Sequence, residues 1–239
     1  MKKITMFLAT LAVGAALNAQ TPRSSYSVSA DFPYSSKYVF RGIENSKDAF
    51  QPSVEVTVGD AYGGIWTNQP ITKGQSNEID LYGGYKWKTS DALSFEAVGT
   101  YYWYPEARGG ATKHTFEMGI GGTYTVSGVT TSAYYYRDFV LEANILQGSI
   151  GYSFPLTDIG SSLDFSLYLG SVNARDWAPD SGVKVKENYG YWGVDASIPF
   201  KLNDTSTFTV GTHYADNNGL PSGTPGSFFW VTVGLTVGF

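Results

Sequence analysis

Residues 228–239, Phe-Phe-Trp-Val-Thr-Val-Gly-Leu-Thr-Val-Gly-Phe, alternate without a break. Phe229, Val231, Val233, Leu235, Val237 and Phe239 fall on one parity, and Trp230, Thr232, Gly234, Thr236 and Gly238 on the other. A period of two describes a strand with one apolar face and one small, mostly polar face. In water the open edge of such a strand invites edge-to-edge association. A closed barrel in a bilayer has no edge and places lipid-facing residues at alternate positions. On this segment alone, the last strand of a soluble sandwich or barrel fits as well.

The other end of the chain bears on the compartment. Lys2 and Lys3 precede an apolar run from Met6 to Leu17, and Leu17-Asn18-Ala19 supplies a small residue for cleavage. This pattern is that of a secretory signal peptide over residues 1–19, leaving a single domain over 20–239. Loss of the two lysines leaves 14 basic residues against 21 acidic, a balance of −7. With no cysteine, the chain has no disulfide, thiolate metal site or lipidated thiol. Beyond the signal no apolar run reaches the eighteen residues of a spanning helix. Aromatics make up 16% of the chain and glycines number 28, and no segment after Ala19 repeats at the helical period of 3.6.

Period-two segments recur throughout. The first runs from Tyr26 to Arg41, with Tyr34, Tyr38 and Phe40 outward and Lys37 and Arg41 inward, and residues 44–48 read as a turn. Further strands are expected over 53–58, 62–70, 78–88, 93–103, 116–124, 129–139, 146–154, 163–169, 192–198, 208–214 and 228–239. The facing of 62–70 is ambiguous because Gly63-Gly64 interrupts it; that of 129–139 is ambiguous because Tyr134-Tyr135-Tyr136 fills both parities. The sum is an all-β, up-and-down antiparallel transmembrane barrel of about twelve strands, with shorter turns on one rim and mostly longer loops on the other. Rings cluster towards both strand ends. Tyr38, Phe40, 101–104, 134–136, 189–192, Tyr214 and 228–230 lie on the loop side, as expected of aromatic girdles at two interfaces.

Ser36-Lys37-Tyr38-Val39-Phe40-Arg41-Gly42-Ile43, with Gln51-Pro52-Ser53-Val54-Glu55 and Glu78-Ile79-Asp80-Leu81-Tyr82-Gly83-Gly84-Tyr85, resembles the N-terminal half of the TorF family of porins, long known as conserved bacterial proteins of unknown function. The resemblance is sharpest over residues 30–90. It implies a barrel in the bacterial outer membrane and a pore, and supplies no catalytic motif. The terminal Phe239 likewise resembles the signal read by the outer-membrane assembly machinery, which with membrane lipid and small hydrophilic solutes makes up the expected partners.

The alternation assigns an inward set. Lys37, Arg41, Glu55, Glu78, Asp80, Glu96, Glu117, Asp164 and Asp195 are the candidate pore-lining residues, with Asp31, Lys86 and Lys88 beside them. Charges inside a barrel require water or partners. Their acidic excess either lines an aqueous pore favouring cations and neutral solutes or forms a salt-bridge lattice that holds the wall. Barrels of about eight strands are filled by side chains and those of about sixteen hold channels, so twelve lies between. A hydrolase needs a hydroxyl, a histidine and an orienting group within reach. Neither His114 nor His213 has a serine two residues on, and both are expected as solvated residues near the loop-side rim. No cofactor motif or repeated metal-ligand spacing is present. Gly119-Ile120-Gly121-Gly122 falls within a strand, where glycine serves close packing, and no basic patch suggests nucleic acid.

Overall fold

The computed structural model describes residues 26–108, 110–218 and 226–239; the signal-peptide expectation over 1–19 lies outside the described residues. Thirteen strands form one antiparallel sheet: β1 Ser27–Phe40, β2 Ile43–Phe50, β3 Ser53–Val58, β4 Ala61–Pro70, β5 Glu78–Lys88, β6 Leu93–Trp103, β7 His114–Val126, β8 Val129–Asp138, β9 Ala143–Leu156, β10 Ser161–Ala174, β11 Glu187–Lys201, β12 Ser206–Asn218 and β13 Ser227–Gly238. The sheet closes through β13 and β1, in a register running from Ser29↔Gly238 to Ser35↔Thr232. Reciprocal backbone bonds between Val28 and Phe239, at 2.8 and 3.2 Å, finish the seam.

The wall has twelve positions and one strand to spare. Residues 44–48 form most of β2 and not the expected turn. The lower part of β1 (Ser27–Asp31) pairs with β3, and its upper part (Tyr34–Phe40) pairs with β2. The two short strands therefore follow one another along the same flank of β1. Gln51-Pro52 separates them, because proline has no N–H to continue a ladder. The reversal from β1 to β2 is at Arg41-Gly42, where both residues have left-handed backbones, φ 52° and 74°. That is the two-residue hairpin geometry of a type I′ turn. The polar run 44–48 resembles a loop in sequence because its partners are distant. Glu44 is 2.6 Å from Lys37, Ser46 hydroxyl accepts from Asn68 at 3.0 Å, and Asp48 accepts from Tyr34 at 2.6 Å.

Elsewhere alternation sorts the residues as strand geometry requires. Val54, Leu81, Met118, Ile120, Leu146, Ile150, Leu169, Val231 and Val233 are exposed on the outer face, a continuous apolar belt that water would not tolerate. The two ambiguous strands are resolved by a shared partner. Tyr62 of β4 and Tyr134 of β8 both donate to the Glu96 carboxylate on β6, the latter at 2.8 Å. Tyr62, Tyr134 and Tyr136 therefore face inward, while Ile65 and Tyr135 are exposed outside.

The loop-side rings divide in two. Tyr101, Trp103, Tyr135, Trp192 and Phe229 are exposed on the outer face, whereas Tyr38, Tyr102, Tyr136, Tyr189, Tyr191, Phe228 and Trp230 are buried within the barrel. Tyr38 and Phe40 thus depart from the outward facing that alternation assigns them.

Candidate functional site

The departure begins where β1 leaves the wall. Its ladder with β13 ends at Ser35↔Thr232. One residue on, the Val231 N–H donates to the Ser36 side chain at 3.0 Å rather than to a backbone carbonyl. A register shift between Tyr38 and Val39 bends the hairpin further, as bulges do. From there it leans across the lumen. Val39 packs on the inner-face cluster of Ala215, Phe228 and Trp230. The Tyr38 ring lies 5.4 Å from that of Trp66, and its hydroxyl donates to Glu78 at 3.3 Å. The Phe40 ring is 6.0 Å from Tyr102.

The turn also reaches the wall at β11 and β12. Asn217 Nδ2 on β12 donates to the Gly42 carbonyl at 2.5 Å, and a Cβ on Gly42 would stand 2.8 Å from the Tyr191 Cβ. Glycine is therefore required twice, by the left-handed backbone and by the close approach.

Arg41 fixes the tip. Its Nη1 is 2.7 Å from Glu117 Oε2, and its Nη2 donates to Oε1 at 2.8 Å. The side chains are 9% and 3% exposed. The pair thus combines a close ionic contact with a charge-assisted hydrogen bond, which is stronger than one between neutral groups. The guanidinium carbon also lies 4.9 Å from the Phe40 ring centre and 5.3 Å from that of Tyr136, within cation–π range. The Tyr102 hydroxyl adds a 3.4 Å bond to Glu117. One arginine thereby joins β1, β6, β7 and β8 across the interior.

Among the described residues, two cavities flank the hairpin and meet at Phe40 and Arg41. The larger, about 870 Å³, lies towards the long loops and is bounded by Asn45, Tyr104, Glu106, Arg108, Asp138 and Trp177. The smaller, about 210 Å³, lies towards the short turns and is bounded by Asp31, Ser53, Asp164, Asp195, His213 and Thr232.

Of the candidate residues, Lys37, Asp164 and Asp195 border the smaller cavity and Glu117 the larger, whereas Glu55, Glu78, Asp80 and Glu96 border neither of the two. Glu78, Asp80, Glu96, Glu117, Asp164 and Asp195 are all buried on the inner face. Asp164 accepts from Ser162 at 2.8 Å, and Asp31 from Ser53 and Thr236 at 3.1 and 2.6 Å. Glu55 is half-buried on β3, Lys86 lies across the ladder from Glu96, and Lys88 is exposed at the end of β5. Lys37 holds Glu44 within the hairpin itself. The structure thus joins Arg41 with Glu117, while Asp31, Glu78, Glu96 and Asp164 accept from hydroxyl groups.

Three interior groups escape the sequence reading. Asp138 is buried and accepts from the Val140 and Leu141 N–H groups at 2.9 and 2.7 Å; the tyrosine triplet concealed its parity. Glu187 is buried at the start of β11, in what reads as a loop. His213 is 3% exposed and not a solvated rim residue. Its Nδ1 is 2.7 Å from Asp195, its Nε2 is 2.9 Å from the Thr232 hydroxyl, and its ring stacks on Trp230 at 5.1 Å. The alternation of Phe208, Val210 and Thr212 already gives His213 the inward parity. His114, in contrast, is exposed and stacks on Tyr101 at 5.7 Å.

A fold of this kind is found in solved structures. The KdgM porin in complex with disordered oligogalacturonate aligns with a TM-score of 0.56 at 10% identity, over 89% of this chain and 99% of that one. The NanC porin aligns with a TM-score of 0.55 at 10% identity, over 88% of this chain and 98% of that one. At such identity the likeness is one of fold. No curated protein matches the sequence. A family model described as a bacterial protein of unknown function, Gcw_chp, matches residues 19–227.

Proposed function

The chain belongs to the Gcw_chp family of bacterial proteins of unknown function, and we propose that it is an outer-membrane channel for passive diffusion of small hydrophilic solutes. In this reading residues 1–19 direct export and are removed, and the strand ending at Phe239 engages the assembly machinery. The TorF-like segment around Arg41 supports the same conclusion. The observation that carries it is the inner face. A closed wall with an apolar exterior keeps carboxylates and phenols inside, with Asp31, Asp164 and Asp195 bordering one cavity and Glu117 and Asp138 the other. Without a watery path such an interior would be costly to build.

The lining favours cations and neutral solutes. Glu55, Glu78, Asp80, Glu96, Glu117, Asp164 and Asp195 outnumber Lys37 and Arg41, and one of them already neutralises Arg41. Field from fixed charges at close quarters sets which ions enter. The oligogalacturonate held by the KdgM porin is a polyanion, a solute class that this lining would repel.

The test is planar-bilayer conductance of refolded protein, with the reversal potential read in an asymmetric salt gradient. A cation-selective current is expected, and the combined Glu78→Gln, Asp80→Asn and Glu96→Gln variant should lose much of that preference. Unchanged selectivity in this variant would refute the acidic lining.

A second reading is favoured by the hairpin, which crosses the lumen: a barrel that does not conduct and acts through its surface. Silence at all voltages, in wild type and in variants that free the hairpin, would select it. The series Asp195–His213–Thr232 has the order of nucleophilic catalysis, but we read it as structural. Thr232 sits mid-strand, and His213 is sandwiched between its two partners and Trp230. No ester hydrolysis is expected of the wild type.

A further inference from the structure

Resting on the channel reading, we propose that the β1–β2 hairpin is the channel's gate, held across the lumen by Arg41 and Glu117 and opened by swinging into the wall beside β13.

The wall has a place for it. Observed pairing of β1 with β13 stops at Ser35↔Thr232. Continued in the same register, Ser36 would meet Val231, Tyr38 would meet Phe229, and Phe40 would meet Ser227, the first residue of β13. The upper part of β13 is therefore a strand edge of matching length.

The alternation of the sequence fits that second position better than the one occupied. Directly opposed residues on neighbouring strands share a face. Phe229 and Ser227 are exposed outside, so the swung-out state would bring Tyr38 and Phe40 into the outer aromatic band and turn Lys37 inward. In the closed state Tyr38 instead lies buried against Trp66 and Glu78. A phenol suits both positions, since its ring packs and its hydroxyl finds a partner or an interface.

The hairpin is also built to move as a unit. Its second strand pairs with β4 at Ala49↔Pro70 and Phe50↔Gln69, with the Ile71 N–H donating to the Asp48 carbonyl and the Lys47 N–H to the Gln75 side chain, each at 2.7 Å, so residues 43–46 have β1 as their ladder partner. Pro52 separates β2 from β3, and motion of one need not disturb the other. The contacts at the tip are an ion pair and polar bonds, which water entering from either cavity can replace, together with ring contacts to Arg41. Buried ion pairs contribute little net stability over alternatives, so the two states need not differ greatly in free energy, and a modest bias moves the population.

The chain contains no cysteine, so introduced thiols report on one contact each. Ser46→Cys with Asn68→Cys joins side chains that touch in the closed state. Phe40→Cys with Ser227→Cys joins positions that face one another only in the swung-out register. Both are read by bilayer conductance with and without reductant, after circular dichroism shows a refolded barrel. The expected result is a current from the Ser46/Asn68 pair that falls at least tenfold on oxidation and returns with reductant, and a persistent current from the oxidised Phe40/Ser227 pair. Equal currents in oxidised and reduced Ser46/Asn68 protein, with conduction intact, would overturn the gate and leave the channel standing. Failure of the Phe40/Ser227 pair to form a disulfide would overturn the swung-out register and with it the proposal. No current from any form, including the oxidised Phe40/Ser227 pair, would overturn the channel reading itself.

Discussion

Replacing Glu117 by alanine should release the hairpin tip without unfolding the barrel. The substitution removes both contacts to Arg41, at 2.7 and 2.8 Å, and leaves a guanidinium that is 9% exposed with no carboxylate in its fork. Breaking one side of a buried ion pair costs about 3–5 kcal/mol, mostly as an uncompensated charge. Here the cavities above and below the tip give water access to Arg41, so the low end applies, about 3 kcal/mol. The alternative open to the molecule is to lift the tip. At 1.4 kcal/mol for each factor of ten, the population with the hairpin lifted rises roughly 100-fold. Amide hydrogen exchange in micelles reads this directly: protection of residues 39–47 should fall by about two orders of magnitude, while β9–β12 remain as in wild type. The paired variant Arg41→Met with Glu117→Leu removes both charges and should recover most of that protection, because no ion is left buried alone. Protection in Glu117→Ala within twofold of wild type would refute this reasoning. So would a double variant as exposed as the single one.

His213→Ala should destabilise the barrel by about 1–3 kcal/mol in a urea titration, since among the described residues it leaves Asp195 with the Ser166 hydroxyl at 3.3 Å. His114→Ala, at an exposed site, should fall within about 0.5 kcal/mol of wild type in the same urea titration. Gly119 faces the Tyr136 ring, on which a Cβ would fall directly; Gly119→Ala should cost about 1–3 kcal/mol by overpacking and reduce protection at Arg41, because Tyr136 is the ring beneath the guanidinium. Exchange at Arg41 unaltered by Gly119→Ala would separate that ring from the tip. The selectivity change expected on neutralising Glu78, Asp80 and Glu96 completes the set, read as a shift in reversal potential.

Much of this protein is local in origin. A strand in a barrel wall shows one face to each medium, so its two-residue period is a property of consecutive residues. Phe229 to Phe239 could therefore be assigned outward from the chain alone, and so could the inward Glu78, Asp80, Glu96, Glu117, Asp164 and Asp195. The same holds for closure: an even run of such strands with an apolar outer parity leaves no stable edge, and the first and last strands meet as that logic requires. Where glycine pairs or three tyrosines occupied both parities, the period vanished, and only Glu96, accepting from Tyr62 and Tyr134 across the barrel, settled the facing.

The hairpin was beyond such reasoning. Residues 44–48 carry the composition of a turn, and their strand character comes from Lys37, Asn68 and Tyr34, which meet them only after the barrel has closed. Tyr38 and Phe40 keep the outward parity in sequence, yet they lie inside, because contacts with Trp66, Glu78 and Tyr102 compete with the wall and prevail in this state. His213 follows the same pattern, its parity legible and its partners Asp195 and Thr232 on neighbouring strands. The sequence by itself determined the wall, since alternation is a response to two solvents felt by every residue in turn. The tertiary structure alone decided what crosses the lumen, since Arg41 and Glu117 stand 76 residues apart and become neighbours only when the ring of strands brings β1 opposite β7.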